Sequence, residues 1–328
     1  MGSLRLAACL LALVGGVAAL AASAGATYAG DRPLAPVYQG EIRGGYLFTL
    51  GDSVYTGGMG PGSSLNVTLD VALPGDAVPL VSRLYVYWTW SNQNGKGIYP
   101  NLTLSLPGAP GIGLGPAQRY MDNKGFASAY DYYVGTDAYN VTGLGPETRS
   151  FTARLDQDGP ADSIVAVYGM GLLLVYASPS EPRRMLWVRE GCDLLYSSYG
   201  ISPEMASAAV EFPGDVPVRD VNRTELYLVA PSGGYSNNNV EGKNELLVNQ
   251  IPDEQMPTLL RSILSILFPN YRGKAWTDVF DFDQSSQVGV DRRDITPFLR
   301  STGNNVAVRD TGDYLQLSNV VLSVTMRS

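Results

Sequence analysis

The chain contains no histidine and only two cysteines. Without histidine it lacks the usual general base, the usual zinc ligand and the usual partner of a nucleophilic serine or cysteine. Cys9 lies in an N-terminal segment expected to be removed, which leaves Cys192 as the single thiol and excludes an internal disulfide or a paired-cysteine metal site. Basic residues are also sparse, 23 against 31 acidic ones, for a net charge of -8. The only dense basic spots are Arg183-Arg184 and Arg292-Arg293, so nucleic acid is not an expected partner. After the first 26 residues no apolar run is long enough to span a bilayer, and no transmembrane anchor is expected in the mature chain.

What is present points outside the cell. Met1 to Arg5 forms a short positive region, Leu6 to Leu20 an apolar one, and Ala22-Ser23-Ala24 or Ala24-Gly25-Ala26 a small-residue cleavage site, so residues 1–26 read as a signal peptide. Leu6-Ala7-Ala8-Cys9 imitates a lipoprotein box, but the apolar region follows the cysteine instead of preceding it. With 37 glycines, 21 prolines and 20 tyrosines against 8 phenylalanines, the composition suits short strands and many turns. Ser64 to Val71 alternates, Leu84 to Trp90 is aromatic and β-branched, and Ile164 to Tyr176 is a long apolar run. Asn94-Gly95, Asp158-Gly159 and Ser232-Gly233-Gly234 are turn signals between such runs. The expected fold class is all-β.

The chain also repeats itself. Leu73-Pro74-Gly75-Asp76 with Leu84-Tyr85 matches Phe212-Pro213-Gly214-Asp215 with Leu226-Tyr227. Val134-Gly135-Thr136-Asp137-Ala138-Tyr139-Asn140-Val141-Thr142 aligns without gaps on Val288-Gly289-Val290-Asp291-Arg292-Arg293-Asp294-Ile295-Thr296. The apolar strand Gly171 to Tyr176 pairs with Asn319 to Thr325. Pro74 to Val134 spans 60 residues and Pro213 to Val288 spans 75. The excess coincides with Asp253 to Leu267, where Met256, Leu259, Leu260, Ile263, Leu264 and Leu267 recur at helical spacing. Two tandem, duplicated, jelly-roll-like β-sandwich domains follow, 27–180 and 181–328, with one helix inserted near 253–267 to cap the second core.

The Asp-x-x-Asn/Asp-Val/Ile-Thr block resembles a signature of extracellular jelly-roll modules. Gly44-Gly45-Tyr46, Gly51-Asp52-Ser53-Val54-Tyr55-Thr56-Gly57, Leu84 to Trp90 and Glu190-Gly191-Cys192-Asp193-Leu194-Leu195-Tyr196 resemble an uncharacterised family of secreted methanogen surface proteins. The likeness runs from about Tyr28 to the C-terminus. It implies an archaeal envelope, sheath or S-layer-like component, and it brings no catalytic residues with it.

Candidate sites are few. Asn66, Asn101 and Asn222 begin glycosylation sequons, as does Asn140, which the repeat marks as structural. Asp156, Asp158 and Asp162 surround a turn glycine and could offer hard oxygen ligands to calcium, the one cofactor considered, although a solvated Asp-Gly turn explains them too. The same holds for Asp278, Asp281 and Asp283. Trp88 and Trp90, or Tyr85 and Tyr87, could form a sugar-stacking face, and the two pairs point to opposite sides of one strand. Cys192 could link two copies through an intermolecular disulfide or lie buried as a small hydrophobe. A glycosidase would need paired carboxylates, and no spacing singles out a pair. The expectation is a self-assembling structural component of an extracellular envelope, not an enzyme, with copies of itself and envelope glycans as partners. The alternative is a carbohydrate-binding or adhesive module.

Overall fold

The computed structural model describes residues 32–327 apart from 108–112, 125–131, 145–148, 199–200, 236–240, 251–257 and 268–269. The export signal read at 1–26 and the first residues of the expected helix, with Met256, lie outside the described residues.

The first half carries β1 (Ala35–Thr49), β2 (Gly58–Met59), β3 (Ser64–Leu69), β4 (Val78–Gln93), β5 (Lys96–Gly97), β6 (Leu102–Ser105), β7 (Gln118–Asp122), β8 (Tyr133–Asn140), β9 (Phe151–Gln157) and β10 (Ser163–Ala177). The second carries β11 (Arg183–Leu195), β12 (Ser207–Phe212), β13 (Val221–Pro231), β14 (Asn244–Val248), β15 (Lys274–Thr277), β16 (Asp281–Phe282), β17 (Val288–Asp294), β18 (Asn304–Asp310) and β19 (Leu315–Met326). A single α-helix among the described residues, α1 (Thr258–Leu267), lies between β14 and β15.

These strands build four layers. The inner sheet of the first half runs β1-β10-β4-β8-β7 and that of the second β11-β19-β13-β17-β16; the outer sheets run β3-β9-β6 and β12-β18-β14-β15. Through β1 the two inner sheets are one continuous sheet of twelve strands, β16-β17-β13-β19-β11-β1-β10-β4-β8-β7 with β2 on β10 and β5 on β4, so the expected pair of separate tandem domains is replaced by two sandwich-like halves that share a sheet. Leu84, Val86 and Trp88 of β4 pack on Val67, Leu69 and Leu155 in one core. Leu226, Leu228 and Leu322 pack on Val210, Leu246 and Val308 in the other. A third cluster, including Tyr85, Tyr87, Leu173, Val188, Val229 and Val321, fills the space between the two inner sheets. Strands β10 and β19 are covered on both faces, which is why their sequences are apolar without alternation.

The sandwiches are joined, not strung as separate beads. Residues 35–43 of β1 pair with β11, whereas 44–49 pair with β10. At the crossing, Gly44 has a φ of +151°, and a Cβ there would lie 2.0 Å from the Tyr176 carbonyl oxygen. Only glycine lets one strand serve both sheets at this point.

The two matched blocks make parallel local hydrogen bonds. Asn140 Oδ1 accepts from the Thr142 amide, as Asp294 Oδ1 does from that of Thr296. Thr142 Oγ1 accepts from the Ser82 amide at 2.8 Å and Thr296 Oγ1 from the Thr224 amide at 2.6 Å. Gly135 and Gly289 are required by close approach: a Cβ would fall 2.4 Å from the Tyr120 carbonyl oxygen in one and 2.1 Å from the Gly233 carbonyl oxygen in the other.

Helix α1 sits where the excess of the second half was expected. Of its described side chains, Leu264 is buried, while Ile263, Ile266 and Leu267 are exposed. Among the described residues no helix is long and apolar enough to cross a membrane.

Candidate functional site

Each inner sheet spends one face on its own sandwich, so its other face must meet the opposite inner sheet, and here the alternation places hydroxyls and carboxylates. The phenol of Tyr85 donates to Glu190 Oε2 at 2.8 Å and that of Tyr120 to Glu190 Oε1 at 3.0 Å. Tyr87 donates to Asn319 Oδ1 at 2.6 Å, and the hydroxyls of Thr136 and Ser318 lie 3.0 Å apart. Burial first, and Glu190 second, push the Tyr85 phenol well above its ordinary value. Every one of these contacts joins the first half to the second, which makes the seam a lock between sandwiches.

Near one end of the seam, Lys124 is buried with its ammonium 2.9 Å from Asp122 Oδ2 and in contact with Asp193 Oδ1. Asp122 also accepts from the Leu194 amide at 2.9 Å. Val134, Cys192 and Leu194 form a small apolar cluster beside them, with Tyr120 and Tyr314 against it.

The most exposed feature with recognition chemistry is an aromatic platform at the surface. Alternation along β4 would send Trp90 after Trp88 into the first core. Register shifts between Trp88 and Ser91 on the β8 side, and between Ile164 and Ala166 on the β10 side, break it. This bulge gives Trp90 a φ of +54° and leaves it 45% exposed. Its ring lies parallel to Tyr314, at 5° with centroids 6.5 Å apart, and edge-on to Tyr132 at 5.8 Å. Tyr196 packs edge-on against Tyr314 at 5.2 Å. Tyr314 is itself left-handed, with a φ of +72°, in a turn whose amides at 313 and 314 donate to Asp310 Oδ1 at 2.6 and 3.1 Å. Two aromatic residues from different halves are thus held in costly backbone conformations, the exposed Trp90 ring lying parallel to the half-buried Tyr314, and strain of this kind concentrates at ligand-contacting sites.

The turn carrying Tyr314 has a titrating neighbour. Burial pushes the Asp313 carboxyl up to about 6 from an ordinary 3.8, against the Gly234 amide and the Asn244 carboxamide that donate to it. A raised carboxyl binds its proton more tightly in the folded state, so stability should fall as pH rises from 3.8 to about 6. Asp313→Asn is expected to flatten that part of a plot of melting temperature against pH; an unchanged slope would place the titration elsewhere.

The other sequence-derived candidates fare unevenly. Asp156, Asp158 and Asp162 do not converge. Asp156 sits on strand β9 with both oxygens on Arg154 Nε, at 2.9 and 3.1 Å, the Asp158 backbone is bonded to Asn101, and Asp162 lies beyond the turn with a φ of +62°. Among the described residues no group of three or more such ligands is placed to hold a metal ion. Asp278 and Asp283 instead accept from nearby backbone amides, at Gly242 and Ser285. Asn66, Asn101, Asn140 and Asn222 are all exposed, and the Asn101 carboxamide donates to the Asp158 carbonyl oxygen at 2.9 Å. Of the two readings open for Cys192, the structure has the buried small hydrophobe. A bulge between Glu190 and Asp193 turns it inward, and it is 1% exposed, out of reach of a second folded chain. Burial first, then Asp122 and Asp193, push its thiol well up. Asp137 and Asp291, the matching acids of the two blocks, both hold a guanidinium in mid-strand, Arg119 at 2.7 Å and Arg293 at 2.7 Å. Sequence reading missed Lys124, Asp122 and Tyr314; the Asp122-x-Lys124 spacing was visible, but the second carboxylate of the cluster lies 69 residues away.

The profile of a family described as "Protein of unknown function (DUF3344)" matches residues 27–325. No curated protein matches the chain. Among solved structures, the major capsid protein P2 of bacteriophage PM2 is 9% identical over 86% of this chain and 98% of its own, with a TM-score of 0.20. A β-porphyranase of glycoside hydrolase family 86 from Bacteroides plebeius is 13% identical over 84% of this chain and 36% of its own, with a TM-score of 0.27. A peptide-N4-(N-acetyl-β-D-glucosaminyl) asparagine amidase is 9% identical over 89% and 97%, with a TM-score of 0.26. At these scores the likenesses carry no inference about function.

Proposed function

The chain belongs to the DUF3344 family, and we propose that it acts outside the cell as a structural component of an envelope, sheath or surface layer that holds glycans on the Trp90–Tyr314 platform. The observation that carries this reading is the exposed Trp90 ring, backed by Tyr314 and held there at the cost of a left-handed backbone. A partly exposed indole beside parallel Tyr314 suits the apolar face of a sugar ring, and aromatic anchors of this kind dominate binding surfaces. The export-type N-terminus and the resemblance to secreted surface proteins support the extracellular setting. The seam between the sandwiches supports a load-resistant role, because it ties the two halves through many buried contacts.

Trp90→Gly separates binding from folding. Glycine accepts a φ of +54° without strain, so the lost stacking is offset and stability should change by less than about 1 kcal/mol. Retention on envelope polysaccharide, followed by affinity electrophoresis, should weaken about tenfold or more. Retention equal to that of the native protein would sink the glycan reading. Assembly of copies into a layer is a second reading, favoured by Val78 and Leu80, 60% and 40% exposed near the start of β4. It predicts concentration-dependent sedimentation that Val78→Lys abolishes.

A further inference from the structure

We propose that Lys124 and Asp193 condense into an intramolecular amide that staples the first sandwich to the second, with Asp122 as the proton carrier.

The geometry comes from three elements. Asp122 ends β7, Lys124 follows it in a turn with a φ of +52°, and Asp193 lies on β11 just past the bulge. Lys124, Asp122 and Asp193 have side-chain exposures of 2%, 2% and 3%. The amine touches Asp193 Oδ1 and stands 2.9 Å from Asp122 Oδ2. Asp122 is fixed from two sides, since its Oδ1 accepts from the Lys124 amide and its Oδ2 from the Leu194 amide, both at 2.9 Å. The nucleophile, the electrophile and a second carboxylate are therefore pre-positioned by different strands, which replaces a bimolecular encounter with a contact already made.

The environment favours condensation over a permanent ion pair. The three charged side chains are almost fully buried, next to the apolar cluster of Val134, Cys192 and Leu194. Burial disfavours the ammonium, and Asp193 and Asp122 outweigh that effect, so the amine rests as a cation. Asp122 can take a proton from it inside the pocket, where solvent cannot. The freed lone pair on Nζ attacks Cγ of Asp193; a C–N bond forms and one C–O bond of the carboxyl breaks. Of the three ammonium protons one stays on the amide and two leave on the departing oxygen as water, with Asp122 returning to its carboxylate form. One positive and one negative charge vanish, no oxidant or co-reactant is needed, and the cost of keeping two ions out of water is relieved.

The test is a peptide map of the full native chain, denatured and digested with trypsin, which does not cleave at an acylated lysine. The amide predicts one branched species joining residues 120–149 to residues 190–219, lighter by one water than the two together. It should be absent in Lys124→Arg, which keeps the charge but cannot form this bond, and in Asp193→Ala, and reduced in Asp122→Ala. Cleavage after Lys124 in the native protein, with that amine modifiable once unfolded, would overturn the proposal. So would a loss of water confined to residues 120–149, which would put the bond on Asp122 and leave the sandwiches unlinked. Both readings are made on the unsubstituted protein, so a variant that fails to fold does not blur the result.

Discussion

Lys124→Met is expected to destabilise the protein by about 3–5 kcal/mol, because it leaves Asp122 and Asp193 buried without their counter-charge. Methionine matches the length of lysine, so little of the loss comes from packing. Urea unfolding near neutral pH measures it, and the deficit should shrink as the solution is acidified and the stranded carboxylates take up protons. Lys124→Met combined with Asp122→Asn and Asp193→Asn should recover much of the loss, a non-additivity that identifies the charge cluster as its source. The alkaline side gives a further sign. The folded-state value of Lys124 lies above 10.5, so its ionic contribution is complete below 10.5 and is lost as pH rises through the higher folded value. A chain carrying the proposed amide has no such alkaline loss. A Lys124→Met variant as stable as the native protein would show that the buried charges are hydrated or otherwise compensated.

Trp88→Ala should cost about 3–5 kcal/mol as well, by a different route. The indole is fully buried in the first core and its Nε1 donates to Asp137 Oδ1 at 3.0 Å. Its ring also fills the space in front of Gly135, where a Cβ would come within 2.2 Å of Cζ2. Truncation therefore opens a large cavity and removes a donor, although Asp137 keeps Arg119 at 2.7 and 2.5 Å. Gly135→Ala should be destabilising at the same place from the opposite side, by crowding. Two tryptophans two residues apart are thus expected to separate cleanly: changing Trp88 lowers the unfolding midpoint, and changing Trp90 leaves it nearly in place while removing binding. Equal effects on stability from both would contradict the bulge that sets them on different surfaces.

That pair also shows how far the linear order of residues reaches. Strand alternation makes Trp88 and Trp90 equivalent, and a single shift in pairing register makes them opposites. The sequence singled out the aromatic pair without being able to say which ring was outside. Its second component, Tyr314, lies on another strand of the other sandwich, where no local pattern connects it to Trp90. Lys124 and Asp193 are 69 residues apart, and Tyr87 meets Asn319 across 232. Nothing in composition or periodicity records such meetings.

What the sequence determined by itself was everything governed by short range. The all-β class follows from alternation and turn residues. The two matched blocks follow from hydrogen bonds that close within two residues, Asn140 to Thr142 and Asp294 to Thr296, and so survive as a visible motif. The apolar runs of β10 and β19 announced strands covered on both faces. Tertiary structure alone decided what covers each face. It made β1 a member of both sheets, turned two sandwiches into four layers, buried Cys192, scattered the Asp156 carboxylates and gathered Lys124 with Asp122 and Asp193. The physical reason is that a period of two assigns side chains to two sides of a strand, whereas the identity of the surface opposite depends on long-range pairing, bulges and close backbone approach, each set by residues far away in the chain.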